Sequence, residues 1–302
     1  MKEIKPDYYD EFQCAAGDCR HTCCRGWEID IDGDALAYYQ SLPGELGDRL
    51  RREIETGEDG TAHFRLRADE SCPFLNENNL CDLIPALGEE RLCQICTDHP
   101  RFRNFFSDRT ETGLGLCCEA AAKLIMSRRE KTRFIESGGE SLLPEEEAIL
   151  RLRGRLIDIM QDRSRPIRAR FEAILTEARG SLPERTNAQW ADFLFDLERL
   201  DPGWERRLDS LRRGGPDLAP DPIAEEQLCV YFLFRHLAGA VYDGDLAGRS
   251  AFAVLSCYLI RAIWTSEGCD PAAYYEIARE YSAEIEYSEE NLCAMLDCID
   301  MD

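Results

Sequence analysis

Cysteines carry the chemistry available to the first 118 residues. Cys14, Cys19, Cys23 and Cys24 are spaced C-x4-C-x3-C-C, and Cys72 and Cys81 bracket the segment CPFLNENNLC. Cys93 and Cys96 lie in LCQICTDHPRF, and Cys117 and Cys118 are adjacent. These are ten of the chain's fifteen cysteines, gathered in the first two-fifths of its 302 residues. Thiolates three to five residues apart can be collected by one turn or loop around a soft metal. Zinc would take four ligands tetrahedrally, so ten thiols could house two sites. An iron–sulfur cluster also takes four thiolates, with looser spacing and ligands from remote segments. The candidates here come from four segments without the paired CxxC regularity of a zinc ribbon. That dispersal favours an iron–sulfur cluster, of the 4Fe–4S kind, with zinc as the alternative. In each adjacent pair, neighbouring side chains of an extended segment point to opposite faces, so one member can ligate while the other faces elsewhere.

The remaining cysteines read differently. Cys229 and Cys257 sit on apolar helical segments and are expected as small buried hydrophobes, and no role is assigned to Cys269, Cys293 or Cys298. His21 and His99 lie within the cysteine group and are possible ligands, whereas His63 and His236 lack metal-spaced neighbours. The segment DIDGD at 30–34 is not a calcium loop. Its glycine stands at loop position 4 rather than 6, and Ser41 occupies the place of the bidentate glutamate.

Composition bounds the partners. A net charge of −23 argues against nucleic acid, whose phosphates call for a basic patch. The opening MKEIKPDYYDEFQC has no apolar core of signal-peptide length, and the longest apolar run, 251–264, is broken by Arg261 and short for a bilayer. The expectation is a cytoplasmic protein with no membrane partner. Thiols stay reduced there, so dense cysteines point to metal binding or catalysis before disulfides.

The elements that must position these thiols are short. Alternation of Trp27, Ile29 and Ile31 predicts a strand, Asp34 an N-cap, and 44–55 a helix with Leu46, Leu50 and Ile54 on one face. HFRLR, CPFL and LCDLI read as strands between turns, RNFFSDRT and ETGLGLCC as a hairpin, and EAAAKLIM as a helix. A region of such short pieces gains from metal cross-links. From Glu136 the character changes. SGGESLLP reads as a linker, Pro144 followed by three glutamates as a helix start, and helical spacing continues through Ile174 and then Trp190 to Leu197. The segment 201–222 is expected as a proline- and glycine-rich connection. Two nearly all-apolar helices at about 225–242 and 249–265 should form a core, Asp270 caps a helix beginning at Pro271, and a last short helix ends the chain. The fold class expected is mainly α: a metal-organised α+β cysteine-rich domain at 1–135, then an all-α domain at 136–302.

The blocks C-x4-C-x3-C-C-RGW-x-I, CPFL…LCDLI and LGEERLCQICTDHPRF, in this order, resemble the flagellin lysine-N-methylase family (FliB). In shorter form the pattern is similar to the cysteine-cluster proteins of the YkgJ type, described as zinc- or iron-chelating. The resemblance covers residues 8–120 in motif detail. It implies an enzyme, an S-adenosylmethionine-dependent protein-lysine N-methyltransferase with flagellin as partner. Positioning of the amine against the sulfonium methyl should dominate such a reaction, with a carboxylate or tyrosine taking the proton. No residue is singled out for that role. No strand–GxGxxG–helix loop marks a donor site, and TGLGLCCEAAAK has Cys118 where the third glycine would stand. Nor is there a CxxxCxxC triad: Cys19 and Cys23 have the first spacing, but Gly26 holds the third position. The rival reading is a non-enzymatic metal-binding or electron-transfer protein with the same cysteine framework.

Overall fold

The computed structural model describes residues 2–137 and 142–300, and separates into two compact units. One comprises Gln13–Pro100, and the other joins the first twelve residues to Arg101–Asp302. The chain thus makes its first strand, leaves to build the cysteine-rich unit, and returns to complete the sheet. These limits divide the chain elsewhere than the expected break at 135/136. The reason lies in the sheet: β1 (Lys2–Pro6) pairs with strands that follow residue 100. Residues 138–141 of the expected linker lie outside the described residues.

Within the Gln13–Pro100 unit, α1 (Gly33–Ser41) begins at Asp32, whose carboxylate accepts from the Ala35 N–H. The cap is therefore Asp32 and not Asp34, because the extended backbone at Asp32 turns its side chain onto the first turn. Helix α2 (Gly44–Glu53) follows, then an antiparallel pair, β2 (Ile54–Thr56) and β3 (Ala62–Phe64), and short helices α3 (Leu83–Leu87) and α4 (Gln94–Asp98). The strand expected at 27–31 is an extended run beside β3. It makes two ladder-like bonds, Ile31 N–H to Ala62 O and Phe64 N–H to Ile29 O, without becoming a full strand. Ile29 and Ile31 nonetheless face inward with Tyr39, Leu50, Phe64 and Phe74, and Cys72 and Cys93 belong to that same small core.

The other unit holds a four-stranded sheet in the order β4-β5-β1-β6, where β4 is Arg101–Phe105, β5 Arg109–Leu114 and β6 Phe134–Ser137. Strands β4 and β5 form the expected hairpin, β1 runs parallel to β5, and β6 is antiparallel to β1. Between β5 and β6 comes α5 (Glu119–Ser127). A helical array follows: α6 (Pro144–Met160), α7 (Ile167–Ala178), α8 (Asn187–Phe195), α9 (Trp204–Arg213), α10 (Pro222–His236), α11 (Ala240–Asp243), α12 (Leu246–Ser266), α13 (Pro271–Tyr281) and α14 (Glu289–Asp300). Helix α9 lies in the segment expected as a connection. Trp204, Leu208 and Leu211 recur on one face and are buried, a periodicity the flanking prolines and glycines obscured. Pro271 opens α13 behind the Asp270 cap, as expected.

Helices α10 and α12 are buried on nearly every side and centre the core, with Phe171, Trp190, Phe232, Phe252, Ile260 and Tyr281 packed among them. At 21 residues, α12 has the length and apolar character of a membrane span, yet here two-thirds of its apolar window is buried in the protein. Its Arg261 lies against Glu225 of α10, whose carboxylate accepts from Arg261 Nε at 2.6 Å. The chain is thus mainly helical with a small mixed sheet.

Candidate metal centre

Local structure brings the distant cysteine segments of the Gln13–Pro100 unit together. Gly26 takes a positive φ of 83° and donates its N–H to Glu70 O, turning the chain so that Cys24 O accepts the Cys72 N–H at 2.8 Å. Arg25 and Ser71 form an isolated bridge beside that bond. Trp27 Nε1 donates to Cys23 O at 2.7 Å, and its ring stacks on His99 with centroids 6.2 Å apart. The segments around Cys24, Cys72 and Cys96 are thereby fixed by backbone and ring contacts rather than by the sulfurs.

The loop from Cys72 to Cys81 was expected as strands and is instead held by arginines. Arg49 donates from Nη2 to Pro73 O at 2.7 Å and from Nη1 to Asp82 at 2.9 Å, with its guanidinium 4.7 Å from the Phe74 ring centre. Arg67 donates to Pro73 O and Leu75 O, each at 2.8 Å. Pro73 has no N–H to give a ladder, and side chains already occupy these carbonyls, so only the isolated bridge between Leu75 and Cys81 remains of the expected pairing. Asp32 performs a second task here: its other carboxylate oxygen accepts the Gln94 N–H at 2.7 Å, placing the turn that carries Cys93 and Cys96. Neither the arginine props nor this use of Asp32 carries a sequence signature. The residues are ordinary in type, and their partners lie up to 62 positions away.

The sulfurs themselves accept backbone hydrogen bonds. Cys14 accepts from Ala16 N–H at 3.3 Å, Cys72 from Phe74, and Cys81 from Leu83 and Ile84. An N–H aimed at sulfur from two residues ahead stabilises the thiolate, the form that binds metal. Burial works in the opposite direction. It pushes Cys72 up to about 12 and raises Cys81 as well. A hydrogen bond from Cys23 brings Cys24 down to about 7 against the effect of burial. Cys93 and Cys96 have their sulfurs 3.3 Å apart; their shared hydrogen bond lowers Cys93 and raises Cys96.

Electrostatic interactions link Cys24, Cys72, Cys81, Cys93 and Cys96 into one group: Cys72 responds to Cys24, Cys81 and Cys93, and Cys96 to Cys93, Cys24 and Cys72. With Cys23 bonded to Cys24, six of the ten expected ligands are gathered in one region. Cys14 lies exposed, and Cys19 Sγ donates to His21 O at 3.2 Å. Cys117 and Cys118 belong to the other compact unit, at the β5–α5 junction. There Cys117 is pushed up to about 12 by burial and hydrogen-bonds to Tyr287 beside Arg235. Among the described residues, no three Cys, His, Asp or Glu groups stand close enough to hold a metal ion as they are. The six thiols therefore suit a soft metal by donor type and by their N–H partners, but not yet by separation. Six free thiols could equally undergo thiol exchange or fill a small core.

Comparison with known proteins gives partial likenesses. The chain is 25% identical over 167 residues to the lysine-N-methylases of Salmonella typhimurium and Salmonella choleraesuis, covering 50% of this chain and 42% of each relative. It is 27% identical over 135 residues to the flagellar biosynthetic protein FliU of Salmonella muenchen, covering 42% of this chain and 80% of that protein. The matched region spans less than half the length of the lysine-N-methylases. No family model matches the chain, and no solved structure matches it.

Proposed function

We propose that this chain is a protein lysine N-methyltransferase, moving methyl groups from S-adenosylmethionine to lysine side chains of flagellin, with a thiolate-held metal centre in the Gln13–Pro100 unit. The likeness to proteins named lysine-N-methylase, over half the chain, is the observation that carries this reading. The FliU likeness supports a flagellar substrate. In the transfer, the lysine nitrogen uses its lone pair to form the N–C bond while the C–S bond breaks and its electron pair stays on sulfur. The amine must first lose a proton to a base. The centre is proposed as an iron–sulfur cluster of the 4Fe–4S kind, with zinc as the alternative, held by four of Cys23, Cys24, Cys72, Cys81, Cys93 and Cys96. Bound there, it would supply cross-links that a core this small needs. We place the protein in the cytoplasm, where thiols are kept reduced and available to a metal.

The test has two readouts. Protein purified without oxygen is analysed for iron, sulfide and zinc. It is then incubated with labelled S-adenosylmethionine and several flagellins, the host's own included. Iron and sulfide together with label in lysine are expected. Fully metallated protein that labels none of the flagellins refutes the methylase reading, whereas a colourless zinc protein refutes only the cluster. The limited coverage of the relatives favours one second reading, a metal-binding or electron-transfer protein that shares the cysteine framework without methyl transfer.

A further inference from the structure

The larger unit contains a small cavity of about 120 Å³ where the end of β4 meets the loop after α10, with Arg103, Phe105, Arg235, Gly239, Tyr242 and Arg249 in its lining. Three of these side chains are arginines and none is a carboxylate, in a chain whose net charge is −23. From this cavity we infer a binding site for a small organic oxyanion, a carboxylate or phosphate group borne on a flat apolar body.

Two of the guanidiniums are held before any ligand arrives. Arg235 lies between the rings of Phe102 and Tyr287, 4.9 and 4.7 Å from their centres, donates from Nη1 to Tyr231 Oη at 2.8 Å, and has Nε 3.3 Å from Glu286. Its Nη2 donates to no protein acceptor among the described residues. Arg249 is fixed by Asp243, which accepts from Nε at 2.9 Å and from Nη2 at 2.5 Å, and by His236 O, which accepts from Nη1 at 3.1 Å, so an anion would be met by the remaining Nη hydrogens. It lies directly across Gly239, where a Cβ would collide with the guanidinium as it stands and make it shift. Donors fixed in advance lose little entropy on binding an anion, and planar guanidinium suits carboxylate and phosphate geometry. Phe105 is 59% exposed and Tyr242 80%, a pair of aromatic rings left in solvent at the rim of a cavity lined by guanidiniums. The volume is well below that of pockets enclosing whole cofactors, roughly 300 Å³ and above, so the cavity takes the charged head and the rings meet the remainder.

Calorimetric titration of the full chain at constant ionic strength, with inorganic phosphate, phenyl phosphate and benzoate as probes and no methyl donor present, tests this independently of the methylation reading. Saturable binding of phenyl phosphate or benzoate is expected, tighter than inorganic phosphate. Arg249→Gln should weaken every probe by roughly tenfold or more, since a fixed charge-assisted donor is removed. Tyr242→Ala, at an exposed position that cannot unsettle the core, should abolish the advantage of the aryl probes and spare inorganic phosphate. Absence of saturable binding by all three probes overturns the inference. So does unchanged affinity in folded Arg249→Gln, or an aryl advantage that survives Tyr242→Ala.

Discussion

Replacing Arg49 by alanine tests whether the loop carrying Cys72 and Cys81 is shaped by its arginine props. The substitution removes two hydrogen bonds from a charged donor, to Pro73 O at 2.7 Å and to Asp82 at 2.9 Å, and a guanidinium 4.7 Å from the Phe74 ring. A charged hydrogen bond contributes about 1.5–3 kcal/mol when buried. Arg49 and Asp82 side chains are 33% and 32% exposed, so solvent screening reduces each bond to about 1 kcal/mol. The cation–π contact adds about 0.5–1 kcal/mol. The loss should therefore be about 2–3 kcal/mol, which in a unit of this size lowers the melting temperature by roughly 10–20 °C if it melts alone. Differential scanning calorimetry of metal-free protein in reductant measures the shift, and timed alkylation read by mass spectrometry reports on Cys72, which is 5% exposed in the native loop. Alkylation of Cys72 should accelerate in step with the destabilisation. A midpoint within about 2 °C of the parent, with Cys72 alkylating at the parent rate, would refute the reasoning, because the loop would then be held by something other than the arginine.

Further outcomes follow from other contacts. Arg153→Ala should destabilise the larger unit by about 3–5 kcal/mol in chemical unfolding. It strands Glu111, which is fully buried and accepts from Arg153 Nη1 at 2.7 Å, so adding Glu111→Gln should recover much of the loss. The contribution of Glu225 and Glu284 to the stability of the same unit should fall as pH rises from about 4.5 to about 7. Burial lifts Glu225 and Glu284 from near 4.5 to about 7, so the folded state holds protons that the unfolded chain has already released. Urea midpoints at pH 5 and pH 7.5 measure this, and Glu284→Gln should flatten part of the slope. Cys23→Ser and Cys93→Ser should lower metal content and soluble yield together, while Cys257→Ser, at a fully buried core position, should leave metal content unchanged. Equal metal loss in all three would show that the cysteines are divided wrongly between ligands and core.

Legibility in the sequence followed the range of the forces involved. Apart from α9, the main helices between Pro144 and Tyr281 are readable because their caps and apolar spacing are local, as at Asp270–Pro271 and through Ile149, Leu152 and Leu156. The hairpin of β4 and β5 was readable for the same reason. The strands assigned to CPFL and LCDLI are not formed because local β-propensity is overridden by Arg49, which claims the Pro73 carbonyl 24 positions away and Asp82 33 positions away. Helix α9 was hidden by the prolines and glycines around it, although Trp204, Leu208 and Leu211 mark its buried face.

The cysteines show the same limit from the functional side. Density along the chain singled out ten of them, but sequence proximity cannot show that β1 closes the sheet with strands beyond residue 100, and that pairing assigns Cys117 and Cys118 to the other compact unit. Within the Gln13–Pro100 unit the distinction is made by hydrogen bonding. Backbone N–H groups meet the sulfurs of Cys72 and Cys81, a thiol partner meets Cys24, and Cys93 and Cys96 meet each other. Cys257 differs in exposure rather than in having a partner: fully buried on α12, it shares a thiol hydrogen bond with Cys229, and burial drives its thiol far up, so it stays protonated. Backbone N–H groups aimed at Cys72 and Cys81, together with partial exposure at Cys24, Cys81 and Cys96, are what separate these candidate ligands from the buried core pair Cys229 and Cys257.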